Sequence, residues 1–177
     1  ELQRLCTANI KNEIGKCTYT HMLNEKAGIE TDLTVVCLEK DHYRIISSAA
    51  VRTHDKAHVL KYLSNDVEFK DVTDELICLG IFGPKSRNLL SKITGEDLFN
   101  KNFKFGTGKN INLNLIDVWV QRLSYVGELG YELYVQKDKG KEIYDLIVNF
   151  GKDFGLTHCG AHTMDTMRME SGFLHWG

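Results

Sequence analysis

Two histidines near the carboxyl end of the sequence have a spacing that can bind a metal. His158 and His162 are four residues apart, which on a helix places both imidazoles on one face. The glutamate of an H-E-x-x-H motif is absent, and Gly160 interrupts the helix. We therefore predict no metal site and expect packing or hydrogen bonding for both side chains.

Two glycine-containing segments resemble parts of nucleotide-binding loops. In G-T-G-K-N (106–110), the earlier glycine of a phosphate loop is misplaced, and Asn110 stands where Ser or Thr would bind magnesium. G-E-L-G (127–130) is not a G-x-G-x-x-G motif, and it precedes a predicted strand instead of joining a strand to a helix. The sequence therefore predicts neither a nucleotide site nor a flavin site.

Composition indicates a folded domain whose partner is a small molecule. The 177 residues are 42% hydrophobic, enough for a substantial core, and the net charge of -2 gives no reason to expect a nucleic acid or an acidic membrane. No apolar run approaches the roughly 20 residues that span a bilayer, and the first residues lack the pattern of a signal peptide. We expect a soluble protein.

The five cysteines are predicted to be buried, reduced thiols. Their number is odd, and no C-x-x-C pair occurs, which argues against a disulfide framework and a structural zinc site.

Hydrophobic periodicity predicts an α+β fold. In the strand that starts at Ile29, alternation places Leu33, Val35 and Cys37 with Ile29 on one face and leaves Asp32 on the other. Strands interleaved with single helices favour mixed or antiparallel sheets over a doubly wound parallel sheet. We predict two βαβ-like subdomains, 1–73 and 74–177. Predicted strands cover 18–23, 29–37, 43–48, 67–72, 75–82, a hairpin in 111–124 that turns near Ile116 and Asp117, and 132–135.

Four helices complete the prediction. Thr53 is predicted to cap the first, in which Ala57, Leu60 and Leu63 share a face. The other helices are predicted at 85–93, with Pro84 just before it, at 141–150, which has the clearest apolar stripe, and at 163–171.

Three stretches together resemble the aminomethyltransferase superfamily, which includes the glycine-cleavage T-protein and the folate-binding halves of sarcosine and dimethylglycine dehydrogenases. The first is G-K-C-T-Y-T-H-M-L-N (15–24) followed by A-G-I-E-T-D-L-T-V (27–35). The second, R-L-S-Y-V-G-E-L-G-Y-E (122–132), is similar to the family pattern R-x-x-Y-x-G-E-x-G-x-E. The third is D-T-M-R-M-E (165–170), similar to D-S-L-R-x-E. The match covers nearly the whole chain and leans towards the dehydrogenase-linked branch.

The resemblance implies that the chain binds tetrahydrofolate. Glu128 matches a glutamate that binds the pterin, where one carboxylate can accept a neighbouring amide N–H and amine. Tyr19 matches a position that lines the pterin slot, and Ile46 and Ser48 match a folate-lining strand. On the residues alone, Glu128 could equally lie on a surface turn and Tyr19 in the core.

The resemblance also implies a catalytic carboxylate. Transfer of a one-carbon unit at the formaldehyde level passes through a cationic iminium, which a nearby carboxylate can stabilise or relieve of a proton. Asp32 is the matching residue, with an exposed strand aspartate as the alternative. Arg168 either binds the ligand's carboxylates or pairs with Glu170 at a helix end.

The implied activity is that of a transferase that forms methylene-tetrahydrofolate, as the folate domain of an N-methylglycine dehydrogenase-like protein. A separate flavin domain with FAD, and the family's C-terminal barrel, are expected to be absent from these residues. The alternatives are a T-protein that accepts the aminomethyl group from a lipoyl carrier, a non-catalytic folate-binding module, and a fragment that holds no ligand. The expected compartment is the cytoplasm or, in a eukaryote, the mitochondrial matrix.

Overall fold

A computed structural model of the protein describes residues 1–11 and 13–176. Asn12 and Gly177, which fall within the two predicted subdomains, lie outside the described residues. The chain forms two compact units, Glu1–Val72 and Thr73–Gly177. Each unit has its own antiparallel sheet, and the two are described separately below.

The first unit is a three-stranded sheet with one principal helix. The strands are ordered β1-β2-β3, and both pairings are antiparallel. A 3-10 turn, Ala49–Val51, leads directly into the principal helix. The elements are α1 (Leu2–Leu5), β1 (Cys17–Leu23), β2 (Ile29–Glu39), β3 (His42–Ser47) and α2 (Arg52–Tyr62).

The core of the first unit lies on one face of this sheet. Met22, Leu33 and Val35 are fully buried there, and Val59 of α2 packs against them. Side chains on successive strand residues point to opposite faces, so Asp32 and Thr34 lie on the face away from this core. The alternation predicted for β2 is therefore confirmed, except that Ile29 is 41% exposed at the irregular end of the β1–β2 pairing.

The predicted start and the predicted buried face of α2 are wrong. The helix begins at Arg52, so Thr53 lies inside it and no side chain caps the amino end. The buried positions are Asp55 and Val59, whereas Leu60 is 46% exposed. Because Val59 packs against Leu33 and Val35 of the sheet, the face of α2 that carries Leu60 is turned away from this core.

The second unit is a four-stranded sheet with helices against one face. The strand order is β4-β7-β6-β5, so β7, the last strand in sequence, lies between β6 and β4, while β4 and β5, which are consecutive in sequence, lie at the two edges. All three pairings are antiparallel. The elements are β4 (Leu76–Phe82), α3 (Ser86–Thr94), β5 (Gly108–Leu113), β6 (Ile116–Gln121), β7 (Gly130–Gln136), α4 (Gly140–Gly151) and α5 (Ala161–Glu170).

Alternation along these strands again separates a core face from an open face. Tyr131, Leu133 and Val135 of β7 are buried in the main hydrophobic cluster of this unit. Ile143 and Ile147, one turn apart on α4, pack into the same cluster. The apolar stripe predicted for this helix is therefore confirmed, and the intervening residues of β7 face the other way.

The α+β prediction is confirmed, with antiparallel pairing throughout the named strands. Two local predictions are wrong. Residues 67–72 form no strand, and the β5–β6 hairpin turns at Asn114 and Leu115, where φ is +53° and +69°. Positive φ at both central residues is characteristic of the type I′ turn that suits a two-residue hairpin.

The cysteine prediction is correct for three residues only. Cys6, Cys17 and Cys37 are buried and Cys78 and Cys159 are exposed, and none of the five forms a disulfide within the described residues. Nowhere in residues 1–11 and 13–176 does a helix have both the length and the apolar character that crossing a membrane requires.

Candidate functional site

The open face of the first sheet brings together three of the residues predicted from the sequence. Tyr19 lies opposite Thr34 on β2, and Thr34 lies opposite Ile46 on β3. Tyr19, Thr34 and Ile46 therefore form a row across the three strands. Asp32 precedes Thr34 by two residues and therefore lies on the same face. Its cross-strand partner is His21. Tyr19 and Asp32 are thus diagonal neighbours, within the reach of an aromatic side chain.

The tyrosine hydroxyl holds the aspartate directly. Tyr19 Oη donates to Asp32 Oδ2 at 2.8 Å, while the Tyr19 side chain remains 58% exposed. The edge of the ring also contacts His21, with centroids 5.3 Å apart. The arrangement fixes one carboxylate oxygen of Asp32 and leaves an aromatic surface accessible beside it.

Ser48 lies just beyond this face. It follows the last residue of β3, is exposed, and precedes the 3-10 turn without capping it through its side chain. Its carbonyl accepts the Val51 N–H at 3.2 Å. Ser48 is therefore adjacent to the row of Tyr19, Thr34 and Ile46 in the chain but is not part of the sheet.

In the second unit, the R-x-x-Y-x-G-E segment forms a loop before β7. Gly127 has φ of +76°, and a Cβ built on it would lie 1.8 Å from Ser171 Oγ. Ser171 Oγ donates to the Val126 carbonyl at 3.4 Å, so the loop lies directly against the end of α5. The next residue, Glu128, is exposed, and no described residue forms a hydrogen bond or ion pair with it.

Arg168 joins the same loop to the end of α5. Its Nε donates to Asp165 Oδ1 at 3.0 Å, and its Nη1 donates to the Phe173 carbonyl at 3.0 Å. The guanidinium also lies 5.9 Å from the centroid of the Tyr125 ring. The predicted pairing with Glu170 is therefore wrong. Asp165, three residues earlier on the helix, is the partner, and the motifs at 122–132 and 165–170 meet through this side chain.

The open face of the second sheet carries a polar network that the sequence analysis did not single out. Glu132 Oε2 accepts a hydrogen bond from Tyr134 Oη at 2.9 Å and another from Gln121 Nε2 at 3.3 Å. Gln121 Oε1 in turn accepts the Trp119 indole N–H at 3.1 Å. Glu132 Oε1 accepts no hydrogen bond from residues 1–11 or 13–176.

Burial dominates the electrostatics of this network. Burial of the Glu132 carboxylate away from water raises its pKa, while the hydrogen bonds from Tyr134 and Gln121 lower it. The pKa of Tyr134 is also raised, by burial first and by the Glu132 charge second. On β4, the residue Cys78 is exposed as a whole, but the protein atoms around its thiol desolvate it, and this effect and the same carboxylate raise the pKa of the thiol to about 11. The thiol and the phenol therefore stay neutral near pH 7 and act as hydrogen-bonding groups.

A cavity of about 810 Å³ lies beside Glu132 within the second unit. Its volume falls in the range of small-molecule sites, and its walls are mainly apolar. Glu132 is the only carboxylate among the described residues that line it, and neither Glu128 nor Arg168 is part of the lining. His158, which also lines the cavity, is hydrogen-bonded to Tyr144 Oη at 2.8 Å. In the described part of the chain, no cluster of three His, Cys, Asp or Glu side chains could hold a metal ion.

The sequence contains a pattern that predicts the strand face on which Glu132 lies. In G-Y-E-L-Y-V (130–135), apolar residues at 131, 133 and 135 predict that Glu132 and Tyr134 share the opposite face. The hydrogen bond from Gln121 to that carboxylate, and through Gln121 the link to Trp119, depend on the β6–β7 register, in which Gln121 lies opposite Glu132. That register cannot be read from either strand alone.

Comparison with known proteins identifies the family. Residues 1–177 match the family described as the GCVT N-terminal domain. The chain belongs to this family. The resemblance inferred from the three motifs is thereby confirmed, and the GCVT N-terminal domain accounts for the whole length of the sequence.

The relatives of this GCVT domain include dehydrogenases and aminomethyltransferases. It is 35% identical over 173 residues to human mitochondrial dimethylglycine dehydrogenase, covering 96% of this chain and 20% of that protein. It is 33% identical over 178 residues to the aminomethyltransferase of Halothermothrix orenii, covering 99% of this chain and 49% of that protein. The chain thus spans about a fifth of the first relative and about half of the second.

A solved structure shares the fold. Glycine cleavage system aminomethyltransferase T from Bartonella henselae superposes with a TM-score of 0.74 at 22% identity, covering 92% of this chain and 42% of that one. At that identity the match concerns the fold alone.

Proposed function

We propose that this chain binds tetrahydrofolate and takes part in one-carbon transfer at the formaldehyde level, as the folate domain of an N-methylglycine dehydrogenase-like protein. Similarity to a dimethylglycine dehydrogenase and to an aminomethyltransferase supports this proposal. The observation that carries it is the Glu132 carboxylate, which lines the cavity and has one oxygen without a partner among the described residues.

Glu132 suits the pterin better than Glu128 does. A pterin presents a cyclic amide N–H beside an exocyclic amine, and an ionised carboxylate oxygen has two acceptor positions. Partial burial strengthens such hydrogen bonds because water competes less. Glu132 is partly buried beside an apolar cavity, whereas Glu128 is exposed on a turn. We therefore propose Glu132 as the pterin acceptor and retain Glu128, with Arg168, as the alternative predicted from the motifs.

Asp32 and Tyr19 are the groups proposed for the chemistry. Tetrahydrofolate supplies two nitrogen nucleophiles that take up formaldehyde, whose oxygen leaves as water with the two nitrogen-bound hydrogens. Positive charge develops on nitrogen in such a transfer, and a carboxylate can stabilise it or accept a proton. The hydrogen bond from Tyr19 orients Asp32 for this role, while Ile46 and Ser48 are proposed to contact the folate.

Binding is tested first with matched glutamate variants. The 177-residue chain is titrated anaerobically with tetrahydrofolate in a calorimeter, alongside Glu132→Gln and Glu128→Gln. We expect Glu132→Gln to weaken binding more than tenfold, about 1.4 kcal/mol, and Glu128→Gln to change it little. The reverse result would restore Glu128 as the acceptor. Absence of saturable binding to the unchanged chain would refute folate binding by these residues alone.

Catalysis is tested separately with Asp32→Asn. If the domain is an enzyme, this variant keeps its tetrahydrofolate affinity but forms methylene-tetrahydrofolate from formaldehyde more slowly. A normal rate with normal affinity would instead favour a non-catalytic folate-binding module. Transfer from an aminomethyl-lipoyl carrier, as in a T-protein, is the second candidate, because a curated relative is an aminomethyltransferase.

The same relatives support a proposal for the partner and the compartment. We propose that a flavin dehydrogenase domain with FAD, in the same polypeptide or the same assembly, supplies the one-carbon unit. The named dimethylglycine dehydrogenase is mitochondrial, which supports the matrix for a eukaryotic protein, with the cytoplasm as the alternative. Co-purification of the full-length protein with flavin absorbance would test the first of these proposals.

A further inference from the structure

In the polar network on the open face of the second sheet, the donor and the acceptor of each hydrogen bond are determined. An indole N–H can only donate a hydrogen bond, so Gln121 must present its oxygen to Trp119. The amide nitrogen of Gln121 then points to the other side, where it donates to Glu132 Oε2. The orientation of one indole ring therefore determines which end of the amide faces the carboxylate.

Packing fixes the indole ring at the start of this network. A Cβ built on Gly108 would lie 2.8 Å from the Trp119 ring, so the absence of a side chain there leaves room for the indole. Gly108 lies opposite Gln121 in the β5–β6 pairing. The ring is thus held over the backbone of the neighbouring strand, directly beside the amide that it orients.

Tyr134 provides the second donor to the same oxygen. It lies opposite Trp119 on β6 and opposite Cys78 on β4, so it occupies the centre of the open face. Its hydroxyl donates to Glu132 Oε2 at 2.9 Å. The two hydrogen bonds occupy both acceptor positions of Oε2. Both acceptor positions of Oε1 are unoccupied by donors from the described residues.

We propose that Trp119, Gln121 and Tyr134 are positioning residues that hold Glu132 by one oxygen and thereby present the other oxygen to the ligand. This inference rests on the proposed role of Glu132 in folate binding. The three residues act through the carboxylate, and Trp119 and Tyr134 are not among the residues that line the cavity.

The same donors favour the ionised form of the carboxylate. Burial raises the pKa of Glu132, and the bonds from Tyr134 and Gln121 oppose that shift. The other titratable groups that face it are Tyr134 itself and the Cys78 thiol of β4. Loss of a donor should raise the pKa of Glu132 further, which reduces the ionised fraction and makes the oxygen a weaker acceptor.

The test uses variants of the 177-residue chain. Tyr134→Phe removes only a hydroxyl, Trp119→Phe removes the donor that orients Gln121, and Trp176→Phe is the matched control at the other tryptophan. The first readout is the pKa of Glu132 without ligand, followed by carboxyl-carbon NMR during a pH titration. We expect an increase in Tyr134→Phe, an increase in Trp119→Phe, and no change in Trp176→Phe.

The second readout is the tetrahydrofolate dissociation constant at about pH 6 and about pH 8. As the pH falls, a carboxylate with a higher pKa is protonated first, so both network variants should lose more affinity at pH 6 than at pH 8. A purely structural defect would reduce affinity equally at both. If Trp119→Phe does not fold, as judged by urea unfolding, Tyr134→Phe decides the question.

The two possible failures are distinguishable. An unchanged Glu132 pKa in Tyr134→Phe would overturn the positioning role, even if the chain binds tetrahydrofolate and Glu132→Gln abolishes binding. Wild-type affinity in Glu132→Gln would instead refute the proposed folate contact. Binding with the expected pH dependence, together with the raised pKa, would support both.

Discussion

Replacing Gly127 by alanine should destabilise the protein by about 3 kcal/mol, from two separate physical effects. Gly127 has φ of +76°, which an L-residue adopts at a cost of about 1–2 kcal/mol. A Cβ at this position would also lie 1.8 Å from Ser171 Oγ and 2.4 Å from Ser171 Cβ. Relief of that overlap requires the loop and the end of α5 to separate, for which overpacking costs of about 1–3 kcal/mol are typical.

Gly155 offers a control for the first effect alone. Its φ is +72°, but nothing lies within 4 Å of a Cβ built there. Gly155→Ala should therefore cost only the backbone strain, about 1–2 kcal/mol. Both substitutions reduce the entropy of the unfolded chain equally, so the difference between them isolates the contact with Ser171.

Urea unfolding followed by circular dichroism measures these free energies. Combining Gly127→Ala with Ser171→Gly removes the obstructing side chain and should recover the steric part of the loss, which appears as a coupling energy in the double-mutant cycle. A cost for Gly127→Ala no larger than that for Gly155→Ala, or a cycle with no coupling, would refute the contact between the loop and α5.

Two further predictions concern other parts of the chain. Leu115 has φ of +69° and a side chain that is 93% exposed, so Leu115→Gly should stabilise the hairpin by up to about 1 kcal/mol in urea unfolding, and a loss of stability would contradict the turn geometry. The hydrogen bond that the His54 ring donates to Asp55 chiefly, and the one that it donates to Glu30 next, raise the pKa of His54. A raised folded-state pKa gives stability that is present below about pH 6.5 and is lost as the pH rises through the folded value. His54→Gln should therefore reduce the melting temperature at about pH 5.5 more than at about pH 8.5, and equal losses would exclude the ion pairs as the cause.

Local periodicity accounts for the elements that were predicted correctly. The alternation in β2 separates Leu33 and Val35 from Asp32 because strand side chains have a period of two, whatever the partner strand is. The stripe of Ile143 and Ile147 similarly predicts the buried face of α4. These features depend on the order of residues in a single segment, and a sequence contains that order explicitly.

The incorrect predictions share a different cause. Residues 67–72 have the composition of a strand, but within the described part of the chain they form none. The buried face of α2 is the one whose Val59 packs against the sheet, and it carries Asp55 instead of Leu60. Arg168 pairs with Asp165 instead of Glu170 because Asp165 lies one turn earlier, while the guanidinium also contacts Tyr125 and the Phe173 carbonyl.

The sequence by itself determined the family, the α+β class and the face on which Asp32 lies, because motif spacing and strand alternation are local properties. Only the tertiary structure decided which glutamate of the R-x-x-Y-x-G-E-x-G-x-E motif faces a cavity. Glu128 and Glu132 are four residues apart, but one lies on a turn and the other on β7, where pairing with β6 brings Gln121 to its carboxylate. Strand register joins residues that are distant in sequence, so no local pattern specifies it.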